Sequence, residues 1–128
     1  GGSADEMFGI YDVVNFCKKF CDIETIGLGK VMSAGTLMLA SGTKGKRKIG
    51  KHCRVMIHAV NAGQVGDIFN LQNELEQTVG LQDSYIQAMS HETNMTKRQI
   101  QTLINRKVNV YLTAEEAIEK GLADEILE

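Results

Sequence analysis

The sequence predicts an α/β protein with a mainly parallel sheet. Three observations carry that reading. Short runs of β-branched and apolar residues (23–28, 53–58 and 108–112) alternate with stretches of helical periodicity. A serine, Ser33, stands among small residues where the first run gives way to a new apolar run, the pattern of strand, tight turn and helix. Two capping signatures, Thr96 with Gln99 and Thr113 with Glu116, open helices in the second half. At 128 residues the chain suits one domain with one core.

The elements follow in order. Gly1-Gly2-Ser3 opens the sequence as a loop. Met7, Ile10, Val14 and Cys17 recur at helical spacing, so a helix runs from residue 4 to about 20. Residues 23–29 form a short buried strand, and a buried helix starts near Ser33. Ser41-Gly42 ends that helix, with glycine at the left-handed cap. Residues 43–48 form a basic turn, read as a solvated loop because no aromatic residue interleaves with its charges. Residues 53–58 form a second strand with His58 at its carboxyl end, the edge where catalytic groups gather in open α/β sheets.

Asp67 then caps a long helix reaching about Ser90. Its apolar residues are sparse (Ile68, Leu71, Leu75, Val79, Tyr85, Ile86, Met89), so the helix is expected to project and pack on another chain. A helix to residue 106, a third strand over 108–112, a helix over 114–120 closed by Gly121, and a last strand over 123–127 complete the pattern. Two clear strands in the first half are few for a free-standing sheet, which points to strands missing before Gly1.

Composition narrows the function. A net charge of −2 gives no bulk attraction for nucleic acid or an anionic membrane. No apolar run approaches the roughly 20 residues of a membrane span, and no signal peptide is expected. Cys17, Cys21 and Cys53 are three in number without a CxxC spacing, so they are expected to be apolar filler in a reducing compartment, not a metal site. No GxxxxGK[ST] phosphate loop is present. Ser33 itself has two readings: a helix N-cap beside small residues, or a nucleophile with the Ala34 amide as oxyanion donor.

Four segments taken together resemble one family. They are Gly1-Gly2-Ser3 followed by Ile10-Tyr11-Asp12; Gly29-x-x-x-Ser33-x-Gly35; Thr43-Lys-Gly-Lys-Arg47 with Arg54-Val-Met-Ile-His58; and Tyr111-Leu-Thr-Ala-Glu-Glu-Ala117 with Gly121-Leu-Ala-Asp124. In order and spacing they resemble the proteolytic subunits of the ATP-dependent Clp proteases, ClpP, over nearly the whole chain. The resemblance implies a ClpP/crotonase-like β-α superhelix, truncated at its N-terminus, as a single domain over residues 1–128. A protruding handle helix would occupy about 67–95.

It also implies a serine endopeptidase. Ser33 matches the nucleophile, His58 the general base, and the amides of Gly2 and Ala34 the oxyanion hole. The loop after His58 would bind substrate backbone as an added strand. The implied substrates are unfolded polypeptides, delivered into a chamber of two stacked heptameric rings by a Clp-type AAA+ unfoldase in the cytoplasm. ATP would be used by that partner, and this chain would need no cofactor or metal.

Two departures stand out. The acid of the triad should precede Tyr111 by two positions, and Asn109 stands there. Asparagine can hold the imidazole but lacks the charge that stabilises imidazolium, so weak or conditional activity is expected. The family also has strands before the Gly-Gly loop, so the Gly2 half of the oxyanion hole is the less secure half. A catalytically impaired structural paralogue is the alternative. An acyl-CoA-directed relative of crotonase type ranks below both, because it would not call for a Ser33–His58 pair.

Overall fold

The computed structural model describes residues 1–128. Eleven elements follow one another: α1 (Ala4–Cys17), β1 (Thr25–Gly27), β2 (Lys30–Met32), α2 (Ala34–Ala40), β3 (Arg47–Gly50), β4 (Arg54–Ile57), α3 (Ile68–Glu92), α4 (Lys97–Ile104), β5 (Val110–Leu112), α5 (Ala114–Glu119) and β6 (Glu125–Leu127). The strands form two three-stranded sheets, ordered β1-β3-β6 and β2-β4-β5. All pairs are parallel except β4 with β5. The chain steps from the first sheet to the second after β1, and again after β3. This repeated step gives the β-α superhelix its winding.

The helix starts follow from local chemistry. Ser3 caps α1 by accepting from the Glu6 amide. Asp67 Oδ1 accepts from the amides of Phe69 and Asn70, and this bonding holds its carboxyl below the usual aspartate range. Both capping boxes close, Thr96 with Gln99 and Thr113 with Glu116. The core lies where α2 meets the sheets and the last turns of α3. Leu37, Ile49, Val55, Ile57, Met89, Ile100 and Leu122 are buried there, each worth about 1.5–3 kcal/mol relative to exposure.

Four expectations need correction. The strand expected over 23–29 is confined to β1, and a further strand, β2, not expected from the sequence, follows it in the other sheet after a tight turn in which the Lys30 amide donates to the Leu28 carbonyl. The basic turn over 43–48 is not wholly a loop, because Arg47 and Ile49 are buried in β3. One sheet becomes two, and β5 runs antiparallel, returning beside β4 without a crossover. Of the three cysteines, only Cys53 is buried; Cys21 is exposed and its thiol donates to the Cys17 carbonyl.

The long helix α3 behaves as its thin apolar stripe requires. Ile68 and Phe69 are 65% and 74% exposed, while Tyr85, Ile86, Ala88 and Met89 are buried. Its first four turns project from the body and its last two are anchored in it.

Arg47 joins the parts. Its guanidinium donates to both carboxylate oxygens of Asp124, at 2.7 and 2.9 Å, and to the carbonyls of Ala40 and Glu92, at 3.1 and 2.7 Å. The ends of α2 and α3 are thus tied to the start of β6. Gly121 makes a second tight junction. It sits at φ +78°, and a Cβ there would stand 2.6–2.8 Å from atoms of Asn94. Gly121→Ala is therefore expected to cost about 2–3 kcal/mol, combining left-handed strain with a clash against backbone. Urea unfolding measures this as a lower midpoint at unchanged slope.

Candidate active site

Strands β2 and β4 pair in parallel with Met32 opposite Met56, so the residues after them leave the sheet at the same carboxyl edge. Those residues lead to Ser33 and His58. The Ser33 amide donates to the Met56 carbonyl at 2.8 Å, which fixes the serine against the neighbouring strand. Its backbone stands at φ 57° and ψ −119°, a region that costs a non-glycine residue about 1–3 kcal/mol and clusters at functional sites.

That strain separates the two readings of Ser33. An N-cap serine has extended backbone and spends its hydroxyl on an amide one turn ahead. Ser33 does neither: its side chain makes no cap bond to α2. The first turn is secured through the Ser33 carbonyl instead, which accepts from the Thr36 amide at 3.0 Å and the Thr36 hydroxyl at 2.6 Å. The Ser33 hydroxyl is left uncommitted at the start of a helix whose first amides have no intrahelical partner.

Ser33, Ala34, His58 and Gly2 line one cleft of about 320 Å³, with Ser3, Ala4 and Met7 from the start of α1 and Tyr85 from α3 among its other walls. The chain opening runs close over the serine, since a Cβ on Gly1 would lie 3.0 Å from Ser33 Cβ. A side chain there would force the serine or the Met32 carbonyl to give by a few tenths of an ångström. His58 is half-buried, and its Nδ1 pairs with the carbonyl of Ala59. A carbonyl can only accept, so Nδ1 carries the hydrogen and Nε2 of the neutral ring is left as the proton acceptor.

Asn109 is the sequence-selected residue that stands apart. Carrying the β4–β5 register one step past Ile57 and Val110 sets it across from His58. It is nonetheless exposed, lies outside the cleft lining and makes no hydrogen bond to the ring. Pairing stops at Val110, so Asn109 lies just outside the ladder, in irregular chain. Met32, although next to the serine in the chain, lines a different surface hollow with Gly1 and Met38. Met7, Thr36 and Tyr85 escaped the sequence reading. The spacing of Met7 and Tyr85 marks them only as helix-face residues, Thr36 carries no signal of its own, and nothing local tells which core residue reaches the serine.

No group of three or more His, Cys, Asp or Glu side chains is placed to hold a metal ion. No helix is long and apolar enough to cross a membrane.

A strained serine and a histidine at adjacent strand ends, beside the amides at a helix start, are an arrangement chemically able to carry out acyl transfer. The comparisons narrow this. The profile of the Clp protease family matches residues 1–128. The ATP-dependent Clp protease proteolytic subunit 1 of Bifidobacterium longum (strain NCC 2705) is 35% identical over 130 residues, covering 100% of this chain and 54% of that protein. The chain belongs to the Clp protease family, and it spans about half the length of the curated relative it matches.

Proposed function

We propose that this chain is a ClpP-type serine endopeptidase subunit in which Ser33 is the nucleophile and His58 the general base. The observation that carries the reading is the strained Ser33, its hydroxyl uncommitted, in one cleft with His58. Ser33 Oγ attacks the carbonyl carbon of a peptide bond while His58 Nε2 takes its proton. The oxyanion of the tetrahedral intermediate accepts from the amides of Ala34 and Gly2. Collapse breaks the C–N bond, and the proton passes from His58 to the leaving amine. Water then repeats the sequence on the ester and frees Ser33.

The wider setting belongs to the same proposal. Substrates are unfolded polypeptides fed by a Clp-type AAA+ ATPase in the cytoplasm. The ATPase spends the ATP, and the subunit needs no cofactor. The exposed apolar residues of α3, among them Leu75 and Val79, are suited to join two heptameric rings face to face. Turnover of a fluorogenic peptide but not of an acyl-CoA thioester supports the reading; thioester turnover that survives Ser33→Ala would overturn it.

One observation favours a second reading, a catalytically impaired paralogue that builds rings beside an active subunit. Asn109 carries no charge and is not bonded to His58. Asn109→Asp is expected to raise kcat by about tenfold to a thousandfold, part of the roughly four orders that the acid supplies in the serine-protease template. An unchanged kcat would remove Asn109 from the triad and leave the Ala59 carbonyl as the group that orients the ring.

A further inference from the structure

The Ser33 carbonyl sits at the end of a line of hydroxyls. Tyr85 Oη lies 2.7 Å from Thr36 Oγ1, which lies 2.6 Å from Ser33 O. A threonine hydroxyl has one hydrogen. Thr36 gives it to the Ser33 carbonyl, so Tyr85 is the donor to Thr36. Thr36 is completely buried and Tyr85 nearly so. Burial pushes the Tyr85 phenol up to about 12, so it stays a donor at any working pH.

A helical threonine bonding the carbonyl three residues back is common by itself. Two features set this one apart: the accepting residue is the strained Ser33, and a second buried hydroxyl stands behind the first. The peptide group is planar, with C=O and N–H pointing opposite ways. Whatever fixes the Ser33 carbonyl therefore also fixes the direction of the Ala34 amide. Relaxation of the strained serine by rotation of this plane would turn that amide out of the cleft.

We infer that Thr36 and Tyr85 are positioning residues of the oxyanion hole, a hydroxyl line from the base of α3 that holds the Ser33–Ala34 peptide plane and aims the Ala34 amide at the developing oxyanion. The inference rests on the peptidase reading above. Neither side chain is hydrogen-bonded to the Ser33 hydroxyl or to the His58 ring. Their effect falls on the transition state, where the oxyanion exists, and not on ground-state binding. Because Tyr85 belongs to α3 where that helix enters the body, the projecting helix and the oxyanion donor are mechanically joined.

The test compares kcat and KM for a fluorogenic peptide among the wild-type chain, Thr36→Val, Thr36→Ser and Tyr85→Phe, with thermal unfolding of each. Loss of one oxyanion donor costs about 10²–10³ in rate, so misaiming it in Thr36→Val is expected to lower kcat by about tenfold or more at unchanged KM. Thr36→Ser, which keeps the hydroxyl, is expected to stay within about twofold of wild type, and Tyr85→Phe to fall between them. If Thr36→Val does not fold, Tyr85→Phe decides by the same split. An active wild type with unchanged kcat in Thr36→Val and Tyr85→Phe, or a loss confined to KM, overturns the inference alone. A wild type inert toward the peptide and unreactive at Ser33 overturns the peptidase reading, and the inference with it.

Discussion

Ser33→Ala is expected to reduce peptide hydrolysis by at least about a hundredfold and by as much as about 10⁶-fold. The upper figure is the loss on removing the nucleophile of a complete triad, where serine and histidine act as one unit. The lower figure applies if the neutral Asn109 already forfeits the full four orders that an acid supplies. Much of that forfeit in the template is a wrong tautomer. Here the Ala59 carbonyl accepts from Nδ1 and selects the useful tautomer without any acid. The loss is therefore expected toward the upper part of the range. The ratio of wild-type to Ser33→Ala kcat/KM measures it. A ratio near one would mean that the chemistry runs through another group.

Arg47→Ala is expected to destabilise the fold by about 3–5 kcal/mol and to lower the thermal midpoint by about 10 °C or more. The substitution leaves the Asp124 carboxylate and the carbonyls of Ala40 and Glu92 without their guanidinium donor in a site where Arg47 is only 3% exposed. The same cluster sets an acid limit. Bonds from the Arg47 side chain, and then from the Arg47 and Gly45 amides, hold the Asp124 carboxyl down to about 2 against an ordinary 3.8. A lowered folded pKa contributes stability that is fully present above the unfolded value and lost as pH falls through the folded one. The contribution, about 1 kcal/mol after screening at this solvent-exposed residue, is thus expected to be intact above about pH 5 and to disappear between about pH 4 and 2. Asp124→Asn is expected to flatten that part of the stability curve, read by urea unfolding at pH 6 and pH 3.

What was legible in the sequence was what short-range chemistry decides. Asp67, Thr96 and Thr113 announce helix starts because a cap and its amides lie within three residues. Ser33 and His58 were legible because each ends an apolar run, and parallel pairing of two such runs brings their ends together. The thin stripe of α3 was legible because a helix with few apolar residues cannot be buried along its length. Long-range pairing stayed hidden. Arg47 looked like one charge in a solvated basic run because its partner Asp124 is 77 positions away. The Thr36–Tyr85 contact spans 49 positions and joins two residues that each fit an ordinary core helix. Strands β2 and β3, of three and four residues with lysine and arginine among them, offer too short a pattern to tell from a turn.

The most direct test of acyl transfer through Ser33 is mass spectrometry of the folded chain after treatment with a fluorophosphonate probe. A single adduct on Ser33 is expected, absent in Ser33→Ala and formed far more slowly in His58→Ala. An adduct on a different residue, or an undiminished rate without His58, would contradict the proposed catalytic pair.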